Sequence, residues 1–139
     1  LRMSHEDLKQ EYKQTEGNPE LKSELKRRQR AISMSRMMQD MKQADVVITN
    51  PTHFAVALRY DQKIQSAPFV VAKGQDQVAL RMRELAQEYG LVIMENKPLA
   101  RALYAQVEIG QGIPADLYKA VAEVLAFVYR LKKRKRAIG

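Results

Sequence analysis

Cysteine and tryptophan are absent from the 139-residue chain, and histidine occurs only twice, as His5 and His53. Without cysteine the chain can form neither disulfides nor thiolate nucleophiles, which fits a reducing compartment. Two histidines far apart in sequence do not provide the ligand cluster that a structural zinc ion requires. We therefore expect no metal and no other cofactor.

Long apolar runs and common catalytic motifs are missing as well. No run approaches the roughly 20 apolar residues that span a bilayer, and no segment has the pattern of a signal peptide. No Gly-x-Ser-x-Gly elbow is present, and Gly110-Gln111-Gly112 lacks the preceding strand and the spacing of a dinucleotide-binding loop. We therefore expect neither a turnover enzyme nor a small-molecule substrate.

The charge is positive overall but unevenly distributed. The net charge is +8, residues 44–129 are close to neutral, and residues 130–136 alone carry six basic side chains. A neutral centre argues against a basic nucleic-acid groove, and residues 130–136 contain no aromatic side chain for base stacking. We expect no nucleic-acid partner. The charged ends fit an acidic partner or a membrane surface instead.

Residues 1–43 have the composition of a helical linker. Ser4 and Asp7 form a helix-start signature, and residues 16–20 interrupt the helical pattern with glycine and proline. A second helix is predicted over residues 19–41, with an apolar stripe too thin for a core helix. The predicted organisation is a linker over 1–43, a globular domain over 44–131 and a basic tail over 132–139.

The globular part alternates between short β-branched runs and segments with helical spacing. The runs predict strands over residues 46–49, 54–60, 68–72 and 91–94, with Lys73-Gly74 ending the third. Helices are predicted over residues 78–89, over 98–104 and behind Pro114, which suits a helix N1 position. This order indicates an α/β or α+β fold, with a small mixed central sheet of four or so strands flanked by helices and preceded by a long linker helix.

The dipeptide Asn50-Pro51 lies between the first two predicted strands and can undergo an unusual reaction, in which the backbone is cleaved. Deamidation of asparagine needs the next backbone N–H as its nucleophile, and proline has none. The Asn50 side-chain nitrogen can still attack the Asn50 main-chain carbonyl, which closes a succinimide and expels Pro51 as a new N-terminus. A folded turn can promote this reaction by holding the two groups together, by straining the bond and by supplying polar groups.

His53 is the one histidine of the tetrapeptide Asn50-Pro51-Thr52-His53, and imidazole is a side chain that commonly takes part in proton transfer. We assign it to proton transfer or polarisation, and Thr52 to positioning the turn through its hydroxyl. The alternative is that Asn-Pro is an ordinary turn dipeptide and that the histidine is simply exposed. The tetrapeptide alone does not decide between these interpretations.

A longer segment favours cleavage, because it resembles a known family. Residues 45–60 read Asp-Val-Val-Ile-Thr-Asn-Pro-Thr-His-Phe-Ala-Val-Ala-Leu-Arg-Tyr. This segment is similar to the signature of the type III export-switch proteins, which are the flagellar FlhB family and its injectisome relatives. The similarity continues through further motifs over most of residues 20–131, at positions 67–68, 71–74, 98–104, 108–110 and 113–114.

The resemblance implies that this chain is the cytoplasmic domain of an inner-membrane protein, with residues 1–43 leaving its last membrane helix. It implies self-cleavage, with Asn50 as the cyclising residue, Pro51 as the leaving group, and Thr52 and His53 completing the motif. It also implies a switch from rod-type and hook-type to filament-type export substrates. The implied partners are export-gate components, export substrates and a hook-length control protein.

Four other interpretations remain open at this point. The chain could be an injectisome homologue with the same role, although the downstream motifs look more flagellar. It could be a protein-binding module that does not cleave itself. Finally, it could be a nucleic-acid-binding domain or a protease acting in trans, although neither has a supporting motif.

Overall fold

The computed structural model describes residues 17–51 and 53–138, and its contacts divide the chain into two compact units at residues 36 and 37. Helix α1, Pro19–Asp40, begins in the first unit, where the Asn18 side chain accepts the Glu20 N–H at 3.1 Å and caps the helix. This confirms the helix predicted over residues 19–41. The helix start predicted at Ser4 and Asp7 lies outside the described residues.

The second unit is built on a four-stranded sheet in the order β3-β2-β1-β4. Strands β1 (Val46–Asn50), β2 (Phe54–Arg59) and β3 (Phe69–Gln75) form an antiparallel meander, and β4 (Val92–Glu95) pairs with β1 in parallel. Helix α2, Gln77–Glu88, makes the crossover that a parallel pair requires. The predicted mixed sheet flanked by helices is confirmed.

Each face of the sheet carries its own apolar core, because successive side chains of a strand point to opposite faces. Val46 and Ile48 of β1 face helices α3 (Lys97–Gln106) and α4 (Tyr118–Ile138). Val47 faces the opposite way, where α2 and the end of α1 cover the sheet. β1 is paired on both edges and covered on both faces, which explains why all five of its residues are buried.

Among the predicted boundaries that differ from the structure, two involve glycine or proline. β3 does not end at Lys73-Gly74 but continues to Gln75, and the absence of a side chain on Gly74 lets α2 lie close to the strand. Pro114 is not the first residue of the last helix. It precedes a 3₁₀ turn, Ala115–Leu117, and α4 begins after that turn.

Both predicted limits of the globular domain can be compared with the structure. Met37 and Met41, assigned to the linker from sequence, are buried in the core of the second unit. At the other end, α4 remains helical to Ile138, within the segment predicted as a basic tail. Within residues 17–51 and 53–138, no helix is both long enough and apolar enough to cross a membrane.

Candidate functional site

Asn50 is the last residue of β1, which is one of the two inner strands of the sheet. It pairs with Phe54 of β2, and its side chain and backbone together are only 5% exposed. Its neighbour Thr49 pairs with Ala55 on one side and with Glu95 on the other. Asn50 therefore stands at the point where a fully paired, buried strand leaves the sheet.

Pro51 and His53 form a tight turn immediately after Asn50. The His53 backbone N–H donates to the Asn50 main-chain oxygen at 3.0 Å, which closes a turn of four residues. Pro51 is half-buried and the His53 side chain is exposed. Thr52 lies outside the described residues, so its predicted positioning role stays a prediction. The turn thus brings together the other three predicted site residues.

The hydrogen bond from the His53 N–H is accepted by the carbonyl oxygen of Asn50, the carbonyl group that would be attacked in the predicted cleavage. Attack on the Asn50 carbonyl carbon moves negative charge onto the oxygen that already accepts this N–H. A donor held at that oxygen before reaction stabilises the developing charge without reorganisation. The role predicted for His53 concerned its imidazole, and the hydrogen bond of its main-chain N–H to the Asn50 oxygen was not predicted from the sequence.

Two loops hold the turn from either side. The His53 carbonyl accepts the Asp76 N–H at 2.9 Å, at the corner between β3 and α2. The Thr49 carbonyl accepts the Asn96 N–H at 2.9 Å, at the corner between β4 and α3. Asn96 also caps α3, since its side chain accepts the Leu99 N–H at 3.2 Å. The residues flanking the 50–51 bond are therefore fixed by contacts outside the hairpin.

These two positioning residues were not found from the sequence, although one had a signal. Asn96 precedes Lys97-Pro98 at the start of a helix, and this arrangement is typical of an N-cap. Asp76 had no such signal. Its importance depends on the register in which Phe54 pairs with Gln75, and the register is a tertiary property.

Asp76 has a strained backbone conformation. Its φ of 52° and ψ of −117° lie in a region that side chains disfavour and glycine adopts freely. Asp76 stands before the first residue of α2, yet its side chain makes no capping hydrogen bond there. The surrounding structure therefore holds Asp76 in this conformation, and no capping hydrogen bond of its side chain compensates for the strain.

Replacing Asp76 by glycine should stabilise the fold. Asp76→Gly removes the strain and retains the N–H that donates to His53, so we expect an increase of about 1 kcal/mol in the free energy of unfolding. Asp76→Ala should bring no such gain, because alanine is disfavoured at the same φ. Urea denaturation of both variants in an uncleaved chain measures the difference. Equal stability of the two variants would contradict the assignment of strain.

Phe54 connects the turn to helix α3 through an aromatic contact. Its ring centroid lies 4.8 Å from that of Tyr104. The Lys73 ammonium lies 5.0 Å above the same Tyr104 ring and donates to the Tyr104 carbonyl at 3.0 Å. Lys73 also lies 3.5 Å from the Glu108 carboxylate. Phe54, the first residue after the turn, therefore belongs to a cluster of side chains that also contains Tyr104, Lys73 and Glu108.

A second feature of the same unit is an apolar groove of about 440 Å³ between α4 and the loop before β3. Its floor is fixed by a hydrogen bond of 2.9 Å from the Ile113 N–H to the Pro68 carbonyl. Its three tyrosines are at least 40% exposed. The groove was not predicted from sequence; its lining residues are Tyr60, Ser66, Ala67, Pro68, Ile113, Tyr118, Ala122, Leu125, Ala126 and Tyr129.

Comparisons with known proteins identify the family of the chain and relatives with a similar fold. The model of the FlhB HrpN YscU SpaS family matches residues 1–128. The flagellar biosynthetic protein FlhB of Bacillus subtilis is 52% identical over 134 residues, which are 96% of this chain and 37% of that protein. The crystal structure of the cytoplasmic domain of FlhB from Shewanella putrefaciens has a TM-score of 0.72 and 46% identity, covering 76% of this chain and 81% of that one.

A further solved structure, of a protein named EscU, is also similar to this chain. A mutated EscU C-terminal domain has a TM-score of 0.64 and 33% identity, covering 66% of this chain and 92% of that one. The chain spans little more than a third of the length of the curated relatives that it matches, 37% for the Bacillus protein and 36% for its Salmonella typhimurium counterpart. On the family match and these identities, the chain belongs to the FlhB HrpN YscU SpaS family.

Proposed function

We propose that this chain is the cytoplasmic part of a flagellar type III export protein, and that it cleaves itself between Asn50 and Pro51. The observation that carries the proposal is the tight turn after a buried strand, with the His53 N–H held 3.0 Å from the Asn50 oxygen. The parent chain would be embedded in the bacterial inner membrane, with this domain on its cytoplasmic side. The family match and the FlhB relatives support this placement.

The proposed reaction is intramolecular and needs no added reactant. The Asn50 side-chain nitrogen forms a bond to the Asn50 main-chain carbonyl carbon, and the bond from that carbon to the Pro51 nitrogen breaks. A proton leaves the attacking amide, and a proton is delivered to the Pro51 nitrogen, which becomes a free amine. The new C-terminus is a succinimide, which water later opens. The reaction runs once per chain, so it is not turnover catalysis.

The fold favours this reaction by positioning and by electrostatics. β1 fixes Asn50, and the contacts of Asp76 and Asn96 fix the residues around it, which lowers the entropy lost on reaching the reactive geometry. The His53 N–H stabilises charge on the carbonyl oxygen. We assign the His53 imidazole to proton transfer, because it belongs to the same turn as Pro51 and is exposed, so it can exchange protons with water.

The two fragments should stay together after cleavage. After cleavage β1 belongs to the N-terminal fragment, and β2 and β4 belong to the C-terminal fragment. The backbone hydrogen bonds that pair β1 with these two strands do not involve the peptide bond that breaks. The apolar side chains of the N-terminal fragment also remain in the core, and their burial contributes on the order of 10 kcal/mol to association. These buried residues are Met37, Met41, Ala44, Val46, Val47 and Ile48.

Cleavage would act as a local switch, because only the turn is released. Breaking the bond separates the Asn50 carbonyl from the His53 N–H and frees two chain ends on the surface of an intact sheet. A change of this kind can alter which partners bind without unfolding the domain. We propose that the change alters export specificity from rod-type and hook-type to filament-type substrates, with a hook-length control protein as the external trigger.

The apolar groove is the surface that we propose for export substrates, alongside contacts to export-gate components. It is concave and mostly apolar, and exposed tyrosines line its rim. Its volume suits one or two large apolar side chains of a bound peptide segment. Recognition pockets are usually concave and mostly apolar in this way. The groove adjoins neither Asn50 nor His53, so binding and cleavage can be tested separately.

A charge placed in the groove should weaken substrate binding. Ala122 is exposed in the groove, so Ala122→Glu should fold normally but would place a carboxylate against apolar peptide side chains. We expect at least about a tenfold loss of affinity for peptides from early export substrates, measured by fluorescence anisotropy. Ala105→Glu, at an exposed position of α3 outside the groove, is the matched control. Unchanged affinity of the groove variant would exclude this surface.

The switch itself is tested by secretion from cells that carry the full-length protein with Asn50→Ala. We expect such cells to export rod-type and hook-type proteins and to fail to export filament-type proteins. The secreted proteins are measured by immunoblotting of the culture medium. Normal export of filament-type proteins by the uncleaved chain would show that cleavage is not the switch.

A further inference from the structure

Helix α4 extends well beyond the core that its first half covers. Val121, Val124 and Val128 are buried, and Val128 is the last buried residue of the helix whose side chain is described. Over residues 129–135 only Leu131 is half-buried and the other side chains are exposed. The helix nevertheless continues to Ile138, nearly three turns past Val128.

This extension is strongly basic. Arg130, Lys132, Lys133, Arg134 and Lys135 follow within six residues, and all five side chains are exposed. Among the described residues, one ion pair reaches the segment, a contact of 3.6 Å between Lys132 and Asp45. Like charges one helical turn apart repel each other, although basic residues at a helix C-terminus are favoured by the helix dipole. The charge is thus mostly unneutralised.

Apolar side chains are interleaved with these charges. Phe127 is 42% exposed and lies with Leu131, Arg130 and Arg134 around one shallow depression on the helix surface. Tyr129, on another side of the helix, is 78% exposed. A helix that combines basic side chains with exposed aromatic and aliphatic ones is typical of a segment that lies at a lipid headgroup surface.

We propose that this basic helix end, residues 127–135, binds an anionic lipid surface. Charge complementarity supplies the attraction, and the apolar side chains next to the arginines can enter the boundary between headgroups and acyl chains. A nucleic acid fits less well, since the positive charge is confined to one helix end and the rest of the unit is nearly neutral. The choice of lipid over a soluble acidic protein rests on the proposed function, which places the domain beside a membrane.

The test is flotation of the purified chain with vesicles of phosphatidylcholine, with and without phosphatidylglycerol. The chain should float with the anionic vesicles and not with the neutral ones, and added salt should release it. The variant Lys133→Glu with Arg134→Glu and Lys135→Glu should lower the partition coefficient on the order of 100-fold. Lys132 is left unchanged because it contacts Asp45.

A charge reversal of the same size at another place on the chain distinguishes binding at this helix end from a general effect of net charge. Arg83→Glu with Lys97→Glu and Arg101→Glu changes the charge equally at exposed positions of α2 and α3, and this variant should float like the parent. An Asn50→Ala chain should float as well, so failure of self-cleavage leaves this result unaffected. Three results would overturn the proposal: no flotation of the parent chain, equal loss in both reversal variants, or binding to a DNA duplex or to polyglutamate in place of vesicles.

Discussion

Asn50→Ala should leave the chain in one piece under conditions in which the parent chain divides into two. Alanine has no side-chain amide, so the nucleophile of the proposed reaction is gone, while the turn and the peptide bond to Pro51 can still form. We expect the cleavage rate to fall at least about a thousandfold, because hydrolysis by water then has to replace a positioned intramolecular attack. Denaturing gel electrophoresis and intact mass over several days measure the rate.

Two further variants make this result specific. Asn50→Asp keeps the size and polarity of the side chain but replaces the amide nitrogen by oxygen, so it should also stay uncleaved at neutral pH. Asn96→Ala removes another asparagine beside the same turn but keeps the main-chain N–H that donates to Thr49. This variant should still cleave. Cleavage of both Asn50 variants at the parental rate would rule out cyclisation as the mechanism.

A side chain at position 74 should destabilise the second unit. A Cβ added to Gly74 would clash with Val78 Cγ1 and lie 2.9 Å from Val78 Cβ, so α2 or the strand must move. Overpacking of this kind costs about 1–3 kcal/mol. Urea denaturation of Gly74→Ala measures the loss, and it should be made in the Asn50→Ala background, because unfolding of two fragments is not a simple two-state process.

The identity of the clash can be tested by a double-mutant cycle. Val78→Ala removes the atom that the new Cβ would meet, so Gly74→Ala with Val78→Ala should lose less stability than the two single losses added together. Gly17→Ala is the control, since a Cβ there meets nothing within 4 Å. Strictly additive losses at positions 74 and 78 would show that the close approach of α2 to β3 is not what requires glycine.

Sequence patterns were sufficient where one local interaction decides the structure. The run Val46-Val47-Ile48 predicts a buried strand because β-branched residues in a fully apolar run suit a strand covered on both faces, and β1 is such a strand. The helical spacing of Val78, Met82 and Leu85 likewise predicted α2. The turn at Asn50-Pro51 was predicted because Asn-Pro is a common turn dipeptide and lies between two predicted strands.

The sequence was not sufficient where the structure depends on register or on close packing. Lys73-Gly74 looked like a strand end because glycine usually interrupts a strand, but Gly74 is needed there for the approach of Val78. The contact between Asp76 and His53 joins residues of different elements, and no local pattern predicts it. The groove likewise exists only once α4 lies beside the loop that ends at Pro68.

The covalent state of the bond between Asn50 and Pro51 tests the central claim most directly. The parent chain, incubated at neutral pH and then denatured, should give two fragments by mass spectrometry, one ending at Asn50 and one beginning at Pro51. Their masses should sum to that of the intact chain while the succinimide persists, and to that mass plus one water after it opens. A single species of full-length mass after long incubation would contradict the account.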